Sequence, residues 1–247
     1  MKQERFSWSR WSSLQAAYGL AGKLIPWCAG VAAICMAAGL YEGFFVAPTD
    51  FQQGQSYRII FVHVPAAWMS MFLYVMVAVW SALGLGLKAK PSFMMAQAIA
   101  PTGAMFTFLA LLTGAFWGKP TWGAWWVWDA RLTSELILLF QYLGFILLHG
   151  AIEDVRRADR ASAVLAIVGV VNVPIVYFSV QWWNTLHQGA SVSMTAAPKM
   201  AATMLAAMGL MAIGFWMYSL AVTLMRMRCV ILERERQAAW VRTVEAL

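Results

Sequence analysis

Of the three histidines in this 247-residue chain, His63 and His187 sit beside tryptophan-bearing sequence. His63 opens the run His-Val-Pro-Ala-Ala-Trp68, and His187 closes Trp182-Trp-Asn-Thr-Leu-His187. Between them five tryptophans fall within twelve residues: Trp117, Trp122, Trp125, Trp126 and Trp128, followed at once by Asp129. Tryptophan is a rigid plate with one polar N–H, so this density suits a platform for a large flat ligand. Haem makes matching demands, with one axial nitrogen on each face of the iron and apolar contact for its ring. His63 and His187 are therefore the candidate axial metal ligands. Ordinary readings stand beside these. A single interfacial histidine is commonly just hydrogen-bonded, and aromatic belts line bilayer surfaces. A belt, however, spreads over many helices, whereas seven of the fourteen tryptophans here fall in two segments.

Charged residues near these segments could supply the remaining contacts. Arg58, Lys119 and Arg131 are candidates for haem propionates, since a guanidinium can hold a carboxylate through two parallel hydrogen bonds. Glu135 lies four residues after Arg131, so a structural ion pair competes for that arginine. Asp129 precedes a predicted helix and is equally suited to capping it. Glu42 is an ionisable group at membrane depth and a weaker candidate. His149, predicted at the end of a helix, reads as structural.

The elements that must position these residues are membrane helices. The chain is 62% hydrophobic and 12% charged, against about 45–50% and about 25% in soluble domains. Apolar runs long enough to cross a bilayer occur at 24–46, 60–87, 93–116, 132–150, 161–180 and 200–224. The expected fold is an all-α integral membrane protein with six transmembrane helices; the alternation of a β-barrel is absent. Fourteen Lys and Arg residues fall on the side of the N-terminus, loops two and four and the C-terminus, and four on the other. The positive-inside rule predicts both termini in the cytoplasm. His63, the tryptophan run and His187 then share the outer face. This asymmetry accounts for the net charge of +7 without a nucleic-acid partner. The expected organisation is an interfacial N-terminal segment (1–23), in which Trp11, Leu14, Tyr18 and Ala21 share a helical face, a six-helix domain (24–225), and a charged cytoplasmic tail (226–247). The first apolar run, about 23 residues, exceeds the about 7–15 of a cleavable leader and reads as a span. Cys28, Cys35 and Cys229 form no Cys-x-x-Cys pair and read as packing residues.

The segment Trp122-Gly-Ala-Trp-Trp-Val-Trp128-Asp129-Ala-Arg131-Leu-Thr133, with Trp117-Gly118 before it, resembles the tryptophan-rich WWD signature of membrane haem-handling proteins in cytochrome c maturation. The length, the segment from Gln53 through Arg58 and His63 to Ala67, and Trp182 to Gly189 are similar to the CcmC family of system I. The likeness runs from about residue 24 to the start of the tail. The resemblance implies haem b bound transiently, as cargo, at the outer face of the bacterial inner membrane, with His63 and His187 as axial ligands. It further implies a platform and docking surface in Trp117, Trp122, Trp125, Trp126, Trp128 and Asp129. Implied partners are the periplasmic haem chaperone CcmE, the small membrane protein CcmD and the CcmA–CcmB ATPase pair.

Rival functions are weighed on the same residues. A bis-histidine b-type cytochrome commonly holds its ligands inside spanning helices, and neither histidine is predicted at mid-membrane. A transmembrane haem transporter wants interrupted helices and midplane polar groups; only Asn172 with Pro174 resembles that, and proline there also reads as a simple kink. An oligosaccharyl-transferase motif is contiguous, whereas this one reads Trp-Trp-Val-Trp-Asp. Gly114-Ala-Phe-Trp-Gly-Lys119-Pro120-Thr121 has one spacer too few for a phosphate loop. No catalytic activity is expected.

Overall fold

The computed structural model describes residues 13–187, 192 and 200–245. Lys2, Arg5, Arg10, Trp11, Gln188, Gly189 and Lys199 lie outside the described residues. Six helical segments are long and apolar enough to cross a membrane. They are built from α1 (Leu14–Tyr41), α2 (Ile60–Leu87), α3 (Lys90–Trp122), α4 (Ala130–Ala151), the pair α5 (Val155–Gly169) and α6 (Asn172–Trp182), and α7 (Ala202–Arg234). A short α8 (Ala239–Glu245) follows. Among the described residues the only strand-like pairing is an isolated bridge between Asp50 and Gly54. All-α architecture is what a bilayer imposes, since a helix satisfies its backbone polar groups internally.

Several boundaries differ from the sequence expectation. The interfacial segment expected over 1–23 is, from Leu14 onward, the continuous beginning of α1, capped by the Ser13 hydroxyl, which accepts from the Ala16 N–H at 3.1 Å. The far end of α1 loosens into one π-helical turn, Glu42–Val46. The expected tail also begins as helix: α7 runs on to Arg234 because Met227, Val230 and Ile231 pack against Met94 and Ala98. Polar and charged residues hide such extensions from an apolar-run reading. Near Pro174 the fifth span breaks outright. Proline has no N–H to give the Val170 carbonyl, which instead accepts from the Val173 N–H at 3.0 Å.

Helix contact here rests on small residues rather than on apolar burial, since lipid is as apolar as the side chains. A Cβ at Gly103 of α3 would stand 2.2 Å from the Tyr142 ring of α4. Gly39 of α1 and Gly214 of α7 admit Met211 and Met36 in the same way. Phe61, Tyr74, Phe106, Leu138 and Met208 fill the interior.

The two ends of the bundle are tied differently. At one end Arg234 grips both oxygens of Asp159 at 2.7 Å and donates to Gln97 at 2.8 Å, while His149 lies 3.1 Å from Asp159. One guanidinium thus joins α3, α4, α5 and α7, and His149 has the structural place expected of it. The opposite end gathers the loop 47–55, the tryptophan segment and His187, and is held by aromatic contacts together with separate hydrogen bonds.

Candidate functional site

At the aromatic end a small, partly open cavity is lined by His63, His187, Arg131 and Glu135, with Ala67 and Ala110 among them. The four polar groups reach it from three pieces of local structure. His63 lies in the first turns of α2, which runs through Pro65 unbroken. Val64 is therefore helical, although the residue before a proline is generally biased towards an extended conformation, because the short 3₁₀ turn Ser56–Ile59 starts the helix ahead of it. Arg131 and Glu135 sit one turn apart at the start of α4. His187 follows α6, its N–H bonded to the Thr185 hydroxyl at 3.0 Å.

Both imidazoles are anchored through Nδ1. His63 Nδ1 lies 3.0 Å from Thr113 Oγ1. That hydroxyl gives its one proton to the Leu109 carbonyl at 2.6 Å, so it can only accept from the ring. His63 thus carries its proton on Nδ1, leaving a bare lone pair on Nε2. His187 Nδ1 lies 3.3 Å from Asp129 Oδ2, and a carboxylate likewise accepts. Burial holds the His187 imidazole below the ordinary histidine value; Asp129 pulls it upward and Arg131 pushes it down again. It is neutral at pH 7 with Nε2 unprotonated. An Nδ1-bonded, Nε2-free imidazole is the state of a metal-ligating histidine, and this structure contains two in one cavity.

The tryptophans divide into two groups. Trp117 packs its ring edge to His63 at 5.6 Å and donates Nε1–H to Gln53 at 2.7 Å. Trp122 stands 4.7 Å from His187. These two brace the histidines. Both belong to or end α3, which continues past the expected Phe116 boundary until Gly123, at φ 80°, closes it and donates to the Lys119 carbonyl. Glycine is favoured at that left-handed position. Trp125 packs on Phe116, and Trp126 on Trp128. Trp125 and Trp128 are 52% and 78% exposed, while the Nε1 of Trp126 is buried without a partner. This second group is the more outward-facing of the two, with Trp126 half-buried between its exposed neighbours.

Asp129 combines both roles that the sequence left open. Its Oδ1 accepts from the Leu132 N–H at 2.8 Å as the cap of α4, and its Oδ2 faces His187. Arg131 donates to the Val176 carbonyl at 2.7 Å, and among the described residues no ion pair joins it to Glu135. Arg58 does not line the cavity. Its guanidinium holds the carbonyls of Gly43 and Ala47 and so ties the end of α1 to α2. Lys119 is likewise spent on the Gly123 carbonyl. Glu42 is not part of the cavity lining either. Sequence reasoning missed Thr113, Gln53 and Ser70. Thr113 lies one turn before Trp117 on the same face, which was the one available signal.

The sequence profile of the CcmC family, heme exporter protein C, matches residues 7–242. This chain belongs to that family. A heme exporter protein C of Escherichia coli (strain K12) is 48% identical over 225 residues, 91% of this chain and 90% of that protein. Its counterpart in Haemophilus influenzae is 44% identical over 227 residues, 92% of each. A ccmC-like mitochondrial protein of Marchantia polymorpha is 50% identical over 157 residues, 64% of this chain. With six candidate spans, this CcmC family member is a multi-pass membrane protein.

Proposed function

We propose that this CcmC family member handles haem during cytochrome c maturation, binding it as cargo between His63 and His187. The observation that carries this reading is the pair of Nε2-free imidazoles facing one cavity. The other donors fit the group: a guanidinium for a carboxylate, and indole plates for a porphyrin face. The cavity itself is far smaller than the about 300–1,000 Å³ of typical ligand clefts. Haem would therefore enter edge-first, with part of its ring outside against Trp125, Trp126 and Trp128. Such a half-open site suits a ligand that must be passed on.

In this reading the aromatic end faces the periplasm from the bacterial inner membrane and both termini are cytoplasmic. The acceptor is the haem chaperone CcmE, with CcmD and the CcmA–CcmB ATPase completing the assembly. The chain holds and presents haem and catalyses no bond change of its own. Support comes from the distribution of basic residues and from relatives that are named heme exporter proteins.

The test is absorption spectroscopy of the purified protein. Wild type is expected to give low-spin bis-imidazole haem, and His63→Ala or His187→Ala to lose it, with recovery on adding imidazole. Unchanged spectra in both variants would overturn the assignment.

A further inference from the structure

At the clasped end of the bundle, α1 and α7 hold between them a cation that no acceptor answers. The Arg228 guanidinium of α7 lies over the Tyr18 ring, 4.1 Å from its centroid. It also lies against Gly22, where a Cβ would meet it at 3.3 Å. Tyr18 and Gly22 are one turn apart on α1, so an aromatic ring and a bare backbone together seat the group. Trp240 of α8 packs on Tyr18 in turn, at 5.7 Å. The guanidinium is thus fixed in place without using its donors. Arg228 joins no ion pair among the described residues, and its Nε is enclosed without a partner, whereas Nη1 and Nη2 are not enclosed. Nor is an acid within reach along either helix. Its neighbours one turn away on α7 are Leu224, Met225, Ile231 and Leu232, and α1 contains no Asp or Glu. Arg234, six residues on, is by contrast paired through both Nη groups with Asp159. A half-buried charge left unpaired is costly, and this one points to an anion from outside the chain.

We propose that Arg228, seated by Tyr18 and Gly22, binds the phosphate of an anionic phospholipid. Its two Nη groups form a fork that matches two phosphate oxygens. Lys23, next to Gly22 in the chain, is exposed at the same level and adds a second positive charge. The surface just towards the middle of the bundle selects a lipid over a soluble phosphate. Leu24 and Trp27 of α1 and Met225 of α7 are exposed there and lie where acyl chains would run. In the orientation proposed above the leaflet is the cytoplasmic one, whose anionic lipids are drawn to basic residues near the surface. The site has a structural purpose as well. α1 packs chiefly on α7, and the glycine contacts at Gly39 and Gly214 hold the pair together further along. A phosphate shared by Arg228 and Lys23 fastens its near end.

Native mass spectrometry of the full-length protein, taken from detergent containing equal dioleoyl phosphatidylglycerol and dioleoyl phosphatidylcholine, tests this. Wild type is expected to retain the anionic lipid about 10-fold or more over the zwitterionic one, since each basic residue near the surface favours it by about 5-fold. Arg228→Gln should lose most of that preference. Gly22→Leu, which keeps every charge but fills the place of the guanidinium, should lower it too. Arg226→Gln removes the same charge from an exposed position about 200° around α7 and should keep it. Added phosphatidylglycerol should also raise the melting temperature of wild type more than that of Arg228→Gln. Equal losses in Arg226→Gln and Arg228→Gln would overturn the site in favour of diffuse attraction, and so would the absence of any preference in wild type. Displacement of the lipid by inorganic phosphate at equal concentration would overturn the lipid assignment in favour of a soluble anion. None of these measurements involves haem, so their failure leaves the bis-histidine reading standing.

Discussion

At Asp129 one carboxylate performs two tasks through its two oxygens, capping α4 and holding His187. The two can be separated, because asparagine caps a helix about as well as aspartate. Asp129→Asn should therefore leave stability almost unchanged while weakening His187 as a ligand. The expected loss in haem affinity is about 10- to 100-fold, the usual effect of changing the group behind a ligating histidine. Thermal melting and haem titration on the same preparation check this; a large drop in melting temperature with unaltered affinity would contradict it. Residues of this kind explain what the sequence could and could not reveal. His63, His187 and the tryptophans were legible because their types are scarce or clustered. Their partners were not. Thr113 lies 50 positions from His63, and Ser70 lies 65 from Glu135. Such pairings come from helix packing, which no local periodicity encodes. Arg58 illustrates the converse, since a guanidinium near the site in sequence is spent on carbonyls that only the fold brings to it.

At the scale of elements, close approach of α3 and α4 sets the distance between the walls of the site. Thr113 rides on α3; Arg131 and Glu135 ride on α4. The contact depends on Gly103 lying against Tyr142, which itself donates to the Ser70 carbonyl at 2.8 Å. Tyr142 is fully buried and cannot swing away. Gly103→Leu should force the two helices apart, costing about 1–3 kcal/mol as overpacking commonly does. Its haem spectrum should also become heterogeneous, although residue 103 is nearly three turns from Thr113. A variant as stable as wild type, with a single low-spin species, would show that the helices are not held by this contact. Apolar runs located the six spans well. They misplaced the ends of α1, α3 and α7, where polar residues belong to helices held by neighbours rather than by lipid.

For the molecule as a whole, the decisive question is which end faces outward. Phe51 is 99% exposed at the aromatic end, in a loop that Asp50 stiffens by accepting from the Gln52 and Gln53 N–H groups. Arg156 is exposed in the first turn of α5 at the other end. With the native cysteines replaced by alanine, Phe51→Cys in intact cells should react with a membrane-impermeant thiol reagent, and Arg156→Cys only after lysis. The reverse pattern would invert the topology and with it the periplasmic role. The six-span architecture followed from composition and run length; the pairing of helices did not, because every span is apolar and any two could in principle adjoin.

The unequal fastening of the two ends has a mechanical consequence. Arg234, Asp159, His149 and Gln97 form one charge-assisted clasp across four helices, whereas the opposite rim is closed by ring contacts and by separate bonds that each join fewer elements, such as Arg58 to the Gly43 and Ala47 carbonyls and Trp117 to Gln53. A bundle pinned in this way behaves like a clothes-peg, with its fulcrum at the clasp and its jaws among the indoles. A rigid disc larger than the resting gap can be gripped or let go by a small splay of the jaws while the fulcrum stays shut.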